Sequence, residues 1–342
     1  MLRWFKWIGL MLLGSLVACQ PEAPLEATEE FGWYEPSDFP PILYQADQNT
    51  WTVAGFELGR RMFYDPVFSR DESVACGECH QPFTAFADPA HALSIGIEGR
   101  IGIRNAPMIA NMGYAERFFW DGGVGHLDFV PVNAIENPLE MDDTIEGVLV
   151  KLNGDPSYQA VFKSVFGVDE ITSQQVFWAF SQFMLRLVSD QSPYDETRRG
   201  RRIPNLDEQA GAALFEQNCA SCHSGVLFTD QSFRNNGLDT VITEDLGRMT
   251  ITELPEDKGK FKVPSLRNVE LTAPYMHDGR FDDLEEVLDH YAESILPSTT
   301  LDPLLPVGGM GLTDTEKTQI ISFLKSLTDR EFVTNPRFFD PN

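Results

Sequence analysis

Apolar residues recur at helical spacing most clearly in the second half of the chain. Asp207 to Asn218 places Ala210, Leu214 and Phe215 on one face. Leu284 to Tyr291 and Asp314 to Leu327 are also helical in period. The latter opens with Thr313-x-x-Glu316, in which a hydroxyl and a carboxylate cap each other's backbone donors. Strand-like alternation is scarce, so the pattern predicts a mainly α fold with long loops. Ser192-Pro193 through Arg199-Gly200-Arg201-Arg202 to Pro204 is polar and rich in breakers, and predicts a linker between two halves. One further apolar run, Ile8 to Val17, is too short to span a bilayer.

That run follows Arg3 and Lys6, and the two together form an export signal over residues 1–18. It closes on Leu16-Val17-Ala18-Cys19, which resembles a bacterial lipobox; the alternative is an ordinary cleaved signal with a chance cysteine. The lipobox reading makes Cys19 an acylated N-terminus, and two or three acyl chains would anchor it stably to a membrane. Gln20, where some lipoproteins have aspartate, favours the outer membrane of a cell that has one, on its periplasmic side. Residues 19–50, rich in Pro and Glu, read as a tether.

With 342 residues the chain can form two cores. A formal net charge of −26 excludes nucleic-acid binding, because phosphates would be repelled over most of the surface, whereas a basic partner would be steered in. The 25 Phe, 6 Trp and 8 Tyr would suit a protein that wraps flat apolar ligands, and equally a Phe-rich core.

Cysteine spacing decides between these. Apart from Cys19, the cysteines fall in two identical frames, Cys76-Gly77-Glu78-Cys79-His80 and Cys219-Ala220-Ser221-Cys222-His223. In such a frame two thiols join the two vinyl groups of one haem, and the adjacent histidine is placed under the iron. A zinc site would want further Cys or His at ligand spacing, and no cysteine is left over. A thioredoxin-like redox pair would not need the histidine twice. The frames therefore predict two covalent c-type haems, with His80 and His223 as iron ligands. One lies in each half, residues 51–195 and 196–342.

Around the frames run Leu58-Gly59-Arg60-x-x-Phe63-x-Asp65, Arg104-Asn105-Ala106-Pro107, Phe119-Trp120-Asp121-Gly122 and Asn137-Pro138-x-Glu140-Met141. Further on come Pro264-Ser265-Leu266-Arg267-Asn268-Val269 and Pro274-Tyr275-Met276-His277-Asp278-Gly279. From about Leu58 to Leu327 this succession resembles the bacterial di-haem cytochrome c peroxidase family, with its MauG-like and MbnH-like branch. The resemblance implies two cytochrome c-like domains with haems on either side of their interface. It implies that the haem on His80 reacts with peroxide, that the haem on His223 receives electrons, and that Trp120 relays charge between them. It also implies that Glu140 handles the peroxide proton, and that Asn105, with the Thr272 and Pro274 carbonyls, binds a Ca²⁺ ion. Without the resemblance, Trp120 reads as a packed interface ring and Glu140 as a solvated loop charge.

Three positions depart from ordinary members. A histidine that caps the first haem is matched by Ile97, which cannot ligate iron, so that haem should stand open to peroxide; His91 in the same loop is the alternative ligand. A distal glutamine is matched by Val130, which leaves more of the acid–base work to Glu140. The methionine ligand of the second haem is matched by Tyr291, as in MauG-like enzymes. A phenolate is hard and favours oxidised iron, whereas thioether sulfur is soft and raises the potential. Met276 and His290 are rival ligands, and His290 points about 100° around the helix from Tyr291. Tyr291 could also be a core aromatic with its hydroxyl satisfied elsewhere.

Two activities follow from the resemblance. One is a peroxidase that reduces H₂O₂ with electrons from a small cytochrome c or cupredoxin. The other is a MauG/MbnH-like enzyme whose high-valent di-haem state oxidises residues of a secreted partner protein. A non-catalytic di-haem carrier is a third class, disfavoured by Glu140 and the open site implied by Ile97.

Overall fold

Helices dominate the computed structural model, which describes residues 31–341. In chain order they are α1 (Val53–Phe63), α2 (Cys76–Cys79), α3 (Val130–Glu136), α4 (Ile145–Gly154), α5 (Pro156–Phe166) and α6 (Ser173–Arg186). There follow α7 (Pro193–Arg198), α8 (Leu206–Asn218), α9 (Met249–Thr252), α10 (Leu284–Glu293), α11 (Asp314–Lys325) and α12 (Arg330–Thr334). Two short strands, β1 (Phe233–Arg234) and β2 (Phe261–Lys262), pair antiparallel with Phe233 opposite Lys262. No helix among the described residues is long and apolar enough to cross a membrane.

Two helix pairs carry the architecture. α1 packs on α6, and α8 packs on α11. At both crossings a glycine lets the backbones close. A Cβ on Gly59 would lie 2.0 Å from the Ala179 carbonyl oxygen, and one on Gly211 would lie 1.9 Å from that of Gln319. Aromatic rings fill the space beside each pair, with Phe63 5.0 Å from Phe183 and Phe215 5.1 Å from Phe323.

The three expected helices are present as α8, α10 and α11, and the Thr313–Glu316 box caps α11 in both directions. The inward face of α8 is centred on Gly211 and Phe215 rather than on Ala210. Two expectations about loose segments give way. The polar stretch after Ser192 is the capped helix α7, and its Asp195 is fully buried against Arg267. From Trp33 the supposed tether lies on the body: Tyr34 donates to Asp190, and Asp38 pairs with Arg198 and Arg199. Trp33–Asn342 forms one compact unit.

The end of the chain returns to the first helix pair. Phe332 on α12 lies 5.9 Å from Phe86, and Phe338 lies 6.4 Å from Phe56. Tyr64 Oη donates to the Phe338 carbonyl at 2.6 Å.

Candidate active site

Each Cys-x-x-Cys-His frame folds into one turn that presents its histidine. The His80 amide closes on the Cys76 carbonyl at 3.0 Å, and the His223 amide on the Cys219 carbonyl at 2.9 Å. His80 Nδ1 donates to the Phe86 carbonyl at 2.7 Å. His223 Nδ1 faces the carbonyls of Phe228 and Pro264 at 3.1 and 3.2 Å. A backbone acceptor on Nδ1 is the usual way a metal-binding imidazole is oriented with Nε2 free for the metal. Burial lowers the pKa of both rings, so both stay neutral, as a ligand must. The four thiols form no disulfide, and burial pushes Cys76, Cys79 and Cys219 up to about 12. Unbridged thiols beside an oriented neutral imidazole fit a covalent haem in each frame.

Glu140 stands near the first frame, where its charge is felt by both thiols. Asn137 shapes the turn that holds it. The Asn137 carbonyl accepts the Glu140 amide at 3.0 Å, and Asn137 Nδ2 donates to Glu140 Oε1 at 2.9 Å. Burial raises the Glu140 pKa to about 7 despite that hydrogen bond. Ile97 is fully buried and donates its amide to the Glu140 carbonyl at 2.8 Å, which ties its loop to the turn that holds the acid. His91 is turned to Asp88, with Nδ1 3.0 Å from Oδ2, and its side chain is 45% exposed. Val130 opens α3.

Trp120 is clasped from two sides. Its indole N–H donates to the Asn105 carbonyl at 2.9 Å, and its own carbonyl accepts the Lys262 amide at 2.7 Å. Arg104 steadies the loop by pairing with Asp121 and, through two hydrogen bonds, with Asp245. Trp120 lines a cavity shared with Cys219, Cys222, His223, Met276 and Tyr291. Asn105, Thr272 and Pro274 border the same cavity, and Asn105 Nδ2 donates to the Ala92 carbonyl.

Of the rival ligands, Met276 and Tyr291 line that cavity and His290 does not: it is 4% exposed and directs Nε2 at the Asn236 carbonyl, 3.0 Å away. Tyr291 Oη and Met276 Sδ both accept from Asn236 Nδ2. Sequence reading missed Asn137, Asn236, Lys262 and the carbonyls of Phe86 and Phe228. Asn137 stood within a quoted segment, but nothing local marks the others. Cys19 lies outside the described residues.

Residues 53–202 match the family model described as di-haem cytochrome c peroxidase. The methylamine utilization protein MauG of Methylorubrum extorquens is 31% identical over 289 residues, spanning 82% of this chain and 79% of that protein. The cytochrome c551 peroxidase of Nitrosomonas europaea is 33% identical over 277 residues, spanning 80% and 79%. A crystal structure of a MauG-like protein associated with microbial copper homeostasis superposes with a TM-score of 0.84 and 32% identity, covering 91% of this chain and 99% of its own.

Proposed function

Because the chain belongs to the di-haem cytochrome c peroxidase family, whose members carry two c-type haems, we propose that it is an oxidoreductase with hydrogen peroxide as electron acceptor. Cys76, Cys79 and His80 would hold the first haem, and Cys219, Cys222 and His223 the second. Bound there, the haems supply an iron for peroxide and a one-electron port for a redox partner.

The observation that carries this reading is Glu140, poised near neutrality beside the first frame and backed by a residue that cannot ligate iron. Its carboxylate takes a proton from H₂O₂ and returns it to the departing oxygen, while Asn137 keeps the carboxyl oriented. Two electrons and two further protons complete two waters. A small cytochrome c or cupredoxin would supply the electrons, and Trp120, which lines the cavity beside His223, would relay them toward the first frame.

Tyr291 favours a second reading. Tyr291 shares the cavity with His223, and as a phenolate it would favour oxidised iron in a haem held there, so the oxidising power of peroxide would be spent on residues of a secreted partner protein. Peroxide turnover with a reduced small cytochrome, compared with turnover on a co-encoded secreted protein, separates the two readings. In either case Trp120→Phe should leave peroxide binding intact and stop oxidation of the external donor. Full donor oxidation by Trp120→Phe would remove the relay.

The Asn105 side chain with the Thr272 and Pro274 carbonyls offers hard oxygen donors for one Ca²⁺. Elemental analysis should find about one calcium per chain, lost in Asn105→Ala; calcium retained by that variant speaks against the site. Acylation of Cys19 would hold the enzyme on the periplasmic face of a membrane. Cys19→Ser should then move the protein to the soluble fraction, and a variant that still sediments with membranes contradicts the anchor.

A further inference from the structure

Met276 and Tyr291 share a cavity with His223, His290 lies beside Tyr291, and one residue touches all three. Asn236 accepts His290 Nε2 at its backbone carbonyl, 3.0 Å away. Its Nδ2 lies 3.3 Å from Tyr291 Oη and 3.4 Å from Met276 Sδ. A thioether has no proton to give, so the amide presents its NH₂ edge here, with one N–H for each acceptor. A carbonyl only accepts, so His290 Nε2 carries its proton and has no lone pair for a metal.

The amide is also held in place. Asn235 Nδ2 donates to Ser298 and Thr300, at 3.0 Å each, and Asn235 Oδ1 accepts the Gly237 amide at 2.9 Å. Beyond it, the Gly237 carbonyl accepts the Leu296 amide at 2.8 Å, and Gly237 takes a φ of +76° that favours glycine. The segment leading out of β1 therefore fixes Asn236 from both sides.

We propose that Asn236 is the positioning residue that sorts these donors and gives the iron Tyr291. The inference rests on the reading that Tyr291 ligates the second haem. One N–H occupies the sulfur of Met276, the soft competitor. The other supports negative charge on the phenol oxygen while leaving it lone pairs for a metal. The backbone carbonyl occupies His290 Nε2. Ligand identity sets the potential of a haem, so Asn236 sets it here without touching the metal.

The test uses the holoprotein. Asn236→Leu removes both donors at similar volume. It should keep two haems per chain by mass, split the ferric spectrum of the second haem between tyrosinate and thioether forms, and raise its potential. Asn236→Val is smaller, likewise lacks the donors and should behave alike, which covers a leucine variant that fails to accumulate. Adding Met276→Leu should restore a single tyrosinate spectrum and bring the potential back down. A purely structural defect would not be rescued in this way. An unrescued double variant, or single variants with unchanged spectrum and potential, overturns the proposal. Tyr291→Phe separates the two layers. If that variant alone is silent, the tyrosinate reading fails; if it alters spectrum and potential while the Asn236 variants do not, only the role of Asn236 fails.

Discussion

Glu140→Gln is expected to slow the reaction with peroxide by about 10²–10⁴-fold, the usual contribution of a positioned general acid–base group. Glutamine keeps the shape and can still meet Asn137, but it can neither take nor return a proton. The pH profile carries the same signature. Burial holds Glu140 protonated below about 7, so the base form accumulates as pH rises through that value. The wild-type rate should therefore climb across neutrality, and the glutamine variant should be slow and flat. Stopped-flow mixing of the oxidised protein with peroxide reads both. A glutamine variant as fast as wild type, or one that keeps the rise, removes Glu140 from the proton transfer.

Arg267→Leu should have the largest effect on stability. Arg267 and Asp195 are both 0% exposed and meet through two hydrogen bonds of 2.8 and 2.9 Å. Arg267 Nε donates to the Val226 carbonyl at 2.7 Å, and the guanidinium lies over the Phe39 ring at 4.7 Å. Removing the cation strands a buried carboxylate, which typically costs about 3–5 kcal/mol. Burial alone would raise the Asp195 carboxyl, yet the Arg267 guanidinium holds it below its ordinary value of 3.8. That contribution is whole above this value and is lost as pH falls through the lowered one. Urea unfolding at neutral pH should show the loss, and adding Asp195→Asn should recover part of it. A single variant as stable as wild type would mean that the pair contributes nothing net.

Periodicity found α10 and α11 because each lays an apolar stripe on a neighbouring core, whereas α8 was found with its inward face displaced to Gly211 and Phe215; the Thr313–Glu316 cap is local chemistry. The two frames were legible for the same reason, since their chemistry is written within five residues. The stretch after Ser192 was misread because its polar residues find partners far away in the chain. Asp195 meets Arg267, and Arg198 and Arg199 both meet Asp38. A paired buried charge and a solvated one look alike in a one-dimensional pattern. Asn236 was invisible on the same grounds: its partners are 40 to 55 positions away.

The return of the chain end to the first helix pair has a consequence in time. The Phe86 carbonyl orients His80, and the Phe86 ring rests on Phe332, which is made near the end of synthesis. The first frame leaves the ribosome more than two hundred residues earlier, in a chain of 342. A half that begins to form during synthesis, as leading segments do, must wait for Phe332 and Phe338 before its core is complete. Such long-range closure slows folding. The half made first is the half that finishes last.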